Sequence, residues 1–244
     1  TGRFGRLKQR FFLVPCRPNL PVVGRTQGTV RCTAMAVSRG KNPVAKGKLV
    51  HVIRHGQAQH NVDDKFLWRR DTCLTRKGVR QARALRRLLP WLRPKLVVTS
   101  SVLRALQTTR CMGFEGRTIV EPDAREVWGG YAANRPIDSR RAVSGDLFVK
   151  FGHYDWAMPL QDRRDACGER KYQRQIQHDD RTNVSIRARA RRLTRFLQYR
   201  PESSIVLVSH GQFLEHLTGD SYMDNCEVRT YRLQEGQWLP HIRK

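Results

Sequence analysis

From Lys48 onward, short apolar and β-branched runs alternate with segments whose apolar positions fall three or four residues apart. Leu49–Ile53, Leu96–Thr99, Thr118–Val120 and Ile205–Ser209 have the length and composition of strands. Between the first two, Thr75 stands where an N-cap would, ahead of Val79, Ala82, Leu85 and Leu89 at roughly helical spacing; Pro90 is expected to end that helix. A second helix is predicted from about Ser185 to Tyr199, with Ile186, Ala190, Leu193 and Leu197 on one face. Val228–Leu233 and Trp238–Ile242 flank Glu235-Gly236 and read as a closing hairpin. The alternation predicts an α/β layered domain over residues 48–244. One stretch interrupts it: from Tyr131 to about Asp180 the chain is dense in Arg, Asp, Gly and aromatics and is too long for a simple connection. It is read as an insertion, at about 131–180, over one end of the sheet.

Residues 1–47 show no sustained period and are broken by Pro15, Pro18, Pro21 and Pro43, so they read as a basic extended arm. Charge sharpens this division. Residues 1–48 hold eleven Lys or Arg and no acid, the first acidic residue being Asp63. Over the whole chain 47 basic residues face 21 acidic ones, a formal net charge of +26. The surface is thus unlike that of a near-neutral enzyme, and a polyanion, nucleic acid above all, is the partner such a charge expects. Arg3, Arg6, Arg10, Arg17, Arg25 and Arg31 are the arm's candidate RNA contacts. An Arg-rich, acid-free N-terminus also has the composition of an organellar targeting peptide, and both readings stay open. The second helix carries Arg187, Arg189, Arg191, Arg192 and Arg195 with no acid to pair them; Arg187, Arg191 and Arg195 are taken as a second candidate RNA contact. The six cysteines form no metal-ligand spacing and read as reduced thiols. No stretch approaches the roughly 18 apolar residues of a membrane span.

Three strand ends carry the chemistry. Val52-Ile53-Arg54-His55-Gly56 runs a hydrophobic strand directly into Arg-His-Gly, with Asn61 following. Val206-Leu207-Val208-Ser209-His210-Gly211 repeats the design. Thr99-Ser100-Ser101-Val102-Leu103-Arg104 leads from a strand into a helix with an arginine in its first turn. Ligands of α/β proteins bind beyond strand ends, and two histidines with two arginines there make a pocket for a tetrahedral dianion. Neutral imidazole at His55 can attack phosphorus, Arg54 and Arg104 can neutralise the oxygens, and His210 can donate a further hydrogen bond. The acid for the leaving alkoxide is assigned to Glu126, after the Thr118–Val120 strand and before Gly129-Gly130, with Glu121 and Asp123 nearby as alternatives.

These motifs resemble the histidine phosphatase superfamily in its phosphoglycerate-mutase-like branch, over about Lys48 to the C-terminus. The nucleophile motif falls on Arg54, His55 and Gly56, with the pocket asparagine on Asn61. A Leu-Thr-x-x-Gly-x-x-Gln-Ala signature matches Leu74, Thr75, Gly78, Gln81 and Ala82. A Ser-x-x-x-Arg-Ala-x-Gln-Thr segment places the second phosphate-binding arginine on Arg104. Ser-His-Gly places the second histidine on His210, and Gly211 stands where the other large branch carries an aspartate, which leaves Glu126 as the acid. The resemblance implies a three-layer sandwich with a mostly parallel central sheet between helices, and phosphomonoester hydrolysis without metal or cofactor. Two functions follow. In one, the domain docks on rRNA and neighbouring proteins of an organellar ribosome or similar ribonucleoprotein, the mitochondrial matrix ranking ahead of the plastid. In the other, it is a free-standing phosphomonoesterase, with the cytosol as an alternative home, acting on a phosphorylated small molecule.

Overall fold

The computed structural model describes residues 47–137, 151, 154–156 and 180–241. The arm, with Arg3, Arg6, Arg10, Arg17, Arg25 and Arg31, and most of the insertion lie outside the described residues.

A six-stranded sheet runs in the order β3-β2-β4-β1-β5-β6. It comprises β1 (Lys48–Arg54), β2 (Leu96–Thr99), β3 (Thr118–Val120), β4 (Ser204–Ser209), β5 (Val228–Gln234) and β6 (Gln237–Pro240). The first four are mutually parallel, and β5 and β6 are antiparallel to their neighbours. The parallel strands are apolar runs because both faces are covered. Val50, Val52, Leu96, Val98, Ile205 and Leu207 pack on one face against residues of α4 (Asn183–Gln198) and α5 (Gly211–Thr218), among them Ile186, Leu193, Leu197 and Phe213. Ile53, Val97, Val206 and Val208 pack on the other, against Leu85 and against Ala105 and Met112 of α3 (Leu103–Met112). The three-layer α/β sandwich is the expected architecture.

The closing hairpin turns through Glu235 and Gly236, both at positive φ (51° and 79°), the geometry of a two-residue type I′ turn. Two expectations need correction. The first predicted helix does not run to Pro90: α1 (Arg76–Ala84) gives way to a 3-10 turn at Leu85–Arg87, and Pro90 sits in the first turn of a short helix, α2 (Leu89–Leu92). Proline's missing N–H costs nothing there. Nor is the arginine face of α4 wholly unpaired. Arg189 is fully buried, its Nε 3.0 Å from Asp180 Oδ1, and Arg192 Nε lies 2.9 Å from Asp123 Oδ2. Arg187, Arg191 and Arg195 remain exposed, with no acidic partner among the described residues. Among those residues no helix is long and apolar enough to cross a membrane.

Candidate active site

Parallel pairing aligns the strand ends that carry the motifs. Arg54 of β1 is level with Ser209 of β4, and Thr99 of β2 with Val208. The ladder continues one residue past the strands, through His55 N to Ser209 O at 3.0 Å and Ser100 N to Val208 O at 3.0 Å. His55, Ser100 and His210 are thereby delivered to one edge of the sheet. The His55 and His210 ring centroids lie 5.1 Å apart, and both side chains are buried.

Hydrogen bonds set the proton positions. His55 Nδ1 is 2.8 Å from Gly56 O, a carbonyl that can only accept, so Nδ1 carries the proton and the Nε2 lone pair is free. That lone pair accepts from Arg104 Nε at 3.0 Å. The rest of the Arg104 guanidinium is fixed by Ala133 O (2.7 Å) and Asn134 Oδ1 (2.9 Å). His210 Nε2 is 2.8 Å from Ser100 Oγ, which itself accepts from Val102 N. His210 Nδ1 is buried and has no hydrogen-bond partner among the described residues. Arg54 donates to Met223 O at 2.8 Å, while its buried Nε has none. The unpartnered Arg54 Nε donor and the unpartnered His210 nitrogen lie in a site that holds two guanidinium groups, an arrangement suited to an anion.

Burial, reinforced by the positive charge of Arg104, pushes the pKa of His55 and His210 well below the usual imidazole range. Both rings are neutral at physiological pH, as a nucleophile requires. Desolvation lowers Arg104 to about 10, and it stays cationic. Glu126 is shifted the other way: burial raises its carboxyl above the ordinary value against the pull of Arg104. Its Oε1 accepts from Val127 N (2.9 Å) and from Phe213 N (3.1 Å) in the first turn of α5. The two neighbouring acids are otherwise engaged. Glu121 Oε1 accepts from Asp123 N, capping a 3-10 turn, and Asp123 pairs with Arg192. Asn61 lies at the rim, exposed, its Oδ1 accepting from Ala58 N at 3.0 Å.

The remaining motif residues are scaffold. Thr75 caps α1 through Gly78 N, Gln81 Oε1 accepts from Gln57 N at 3.0 Å, and Gln107 Oε1 from Leu74 N at 2.8 Å. Gly78 is required by contact, because a methyl group there would overlap the Gln57 carbonyl oxygen. Together these bonds fix the loop that leaves His55.

Several residues of the site carried no motif. His60 lies 5.8 Å from His55, ring to ring, and is lowered to about 3 by desolvation and by Arg104 and Arg54. Its place five positions after His55 was the signal available. Asn134, Tyr222 and Asn225, whose Nδ2 donates to His55 O at 3.0 Å, reach the site only through folding. So does a clamp around Glu126. Arg189 NH1 donates to Arg125 O (2.7 Å) and Asp123 O (2.9 Å), and its guanidinium lies 4.0 Å over the Phe213 ring. Its partner Asp180 accepts from Trp128 N at 3.1 Å. The pair therefore grips the chain on both sides of the carboxylate.

Two buried histidines, two arginines and a carboxyl of raised pKa gather at the ends of parallel strands of an α/β sandwich, an arrangement suited to an anion. The sequence profile of the histidine phosphatase superfamily (branch 1) matches residues 50–239, and the chain belongs to that family. Phosphoglycerate mutase-like protein 1 of Arabidopsis thaliana is 25% identical over 246 residues, covering 78% of this chain and 83% of the relative. Among solved structures, Mycobacterial hydrolase 1 aligns with a TM-score of 0.52 at 18% identity, over 80% of this chain and 97% of its own. A putative alpha-ribazole-5'-P phosphatase from Escherichia coli aligns with 0.51 at 19% identity, over 80% and 96%. At these identities the structural likenesses speak for the fold.

Proposed function

We propose that the domain hydrolyses phosphomonoesters through a covalent phosphohistidine on His55. The observation that carries this reading is the fixed tautomer of His55: Nδ1–H is tied to Gly56 O, and Nε2 accepts from Arg104. An incoming phosphoryl group takes over the Arg104 N–H that Nε2 now accepts. The Nε2 lone pair forms the N–P bond as the P–O bond to the alcohol breaks. Arg54 and Arg104 hold the non-bridging oxygens, and His210, in its Nδ1–H tautomer, donates a further hydrogen bond. Glu126, whose pKa burial raises, gives its proton to the departing alkoxide. As the carboxylate it then takes a proton from the water that attacks phosphorus, the N–P bond breaks, and phosphate leaves. The raised pKa of Glu126 supports both halves of this exchange. His55→Ala should abolish hydrolysis of p-nitrophenyl phosphate while the melting transition stays cooperative; a fully active variant rejects the mechanism.

The chain's charge supports a second, compatible role, as an RNA-docked subunit of an organellar ribosome or similar particle. The net charge of +26 and the exposed row Arg187, Arg191 and Arg195, one helical turn apart on α4, favour a phosphate backbone. Gradient sedimentation of cell extract with and without ribonuclease tests it. Co-migration with ribosome-sized particles that ribonuclease abolishes is the expected result, and a small species in both gradients contradicts it.

A further inference from the structure

Gly211 follows the second histidine, and the structure shows why no side chain stands there. The Tyr222 ring occupies the space: a Cβ on Gly211 would lie 2.6 Å from Tyr222 Cζ and 2.8 Å from its hydroxyl oxygen. The same ring carries Arg54, whose guanidinium carbon is 4.6 Å from the ring centroid, a cation–π distance. Tyr222 is thus wedged between a phosphate-pocket arginine and the first residue of α5, next to His210.

Its backbone is anchored from behind. Tyr222 O accepts from Arg229 NH2 at 3.2 Å, and Arg229 is in turn paired with Glu227. The next residue accepts from Arg54 through Met223 O, and Asn225 donates to His55 O. The segment 222–225 therefore wraps the nucleophile and its arginine, and the ring has little freedom. The hydroxyl at its tip has no hydrogen-bond partner among the described residues, and the side chain is half exposed. Tyr222 also lies within electrostatic reach of Arg104. An unengaged O–H thereby lies against the start of α5, at the residue next in sequence to His210, on a ring stacked with one pocket arginine and within electrostatic reach of the other.

We infer that Tyr222 is a substrate-binding residue whose hydroxyl donates to a non-bridging oxygen of the phosphoryl group, closing the cradle of Arg54 and Arg104 on the side that Gly211 leaves open. Two parts of the side chain do different work. The ring holds the Arg54 plane so that its edge, including the unpartnered Nε, faces the anion; the hydroxyl supplies the additional donor. The inference rests on the proposed phosphate pocket, and its test separates the pocket from the chemistry.

The test is calorimetric binding of inorganic phosphate to the full chain, alongside kcat and KM for p-nitrophenyl phosphate, for wild type, Tyr222→Phe and Tyr222→Leu. Tyr222→Phe keeps the ring and should melt as wild type does. It should bind phosphate roughly tenfold or more weakly, the scale of one hydrogen bond to a charged acceptor. Tyr222→Leu, which also frees Arg54, should bind more weakly still. Phosphate binding by Tyr222→Phe equal to wild type overturns the inference, and a loss confined to Tyr222→Leu reduces the residue to a brace for Arg54. Wild-type binding without turnover counts against the phosphohistidine mechanism alone, whereas a wild-type chain that binds no phosphate removes the pocket and this residue's role together.

Discussion

At His55 the location of one proton decides what the ring can do. A carbonyl at 2.8 Å holds Nδ1–H, and burial between arginines keeps the second nitrogen unprotonated far below pH 6.5. Glu126 answers it with the opposite shift, a carboxyl kept protonated above its usual range. Activity should therefore extend to acid pH and decline as pH rises through the Glu126 pKa. Glu126→Gln should lower kcat on an alkyl phosphate by roughly 10²- to 10⁴-fold and remove that dependence. The loss should be smaller for p-nitrophenyl phosphate, whose leaving group needs little protonation; equal losses on both would deny Glu126 the acid's role. His60 adds a stability signature. Its folded pKa of about 3 lies below the unfolded value, so its contribution is present above about pH 6.5 and lost as pH falls toward 3. Each pH unit crossed costs up to about 1.4 kcal/mol. The melting midpoint should fall with acidification over that window, and His60→Gln should flatten the fall; an unchanged curve would show that His60 is not held neutral.

The elements were legible to different degrees. Strands β1 to β4 announce themselves because burial on both faces demands uninterrupted apolar runs, and the motifs at their ends are adjacent in the fold because parallel register aligns them. The hairpin was equally plain from Glu235-Gly236. Pro90 misled because proline stops one helix and opens another with equal ease. The sequence pattern groups Arg189 with the unpaired arginines of the helix, although it lies three residues after Ile186 and one before Ala190, within the apolar stripe of α4. What the sequence did not display was Asp180 and the two carbonyls that make its burial tolerable. Tyr222 and Asn134 had no local signal at all, since each reaches the site only by tertiary packing. The Arg189 clamp gives the element-scale prediction. Arg189→Met leaves buried Asp180 with only Trp128 N and the more distant Arg125 guanidinium, 3.5 Å away, and should cost about 3 kcal/mol in denaturant unfolding, the lower end for a broken buried pair. It should also lower kcat more than phosphate affinity, because it frees the Glu126 loop and leaves the arginine cradle in place. A variant with wild-type stability would show that the clamp bears no strain.

Across the whole molecule, an anion pocket with neutral histidines sits in a chain whose charge is overwhelmingly positive. Long-range attraction draws polyanions to such a surface, and short-range geometry decides which phosphate reaches His55. The two proposed roles can thus be separated by salt. Reversing Arg187, Arg191 and Arg195 to Glu should weaken RNA binding and reduce the slope of log affinity against log salt by up to about 2 to 3. Hydrolysis of a small phosphomonoester should be retained. An unchanged slope would remove α4 from the RNA contact.

The central claim is the covalent bond between phosphorus and His55, and rapid-quench mass spectrometry of the protein during turnover addresses it most directly. One phosphoryl group, stable to base and labile to acid, is expected on the peptide that contains His55, and none on His55→Ala. Steady turnover with no such adduct, or an adduct on another residue, would contradict it.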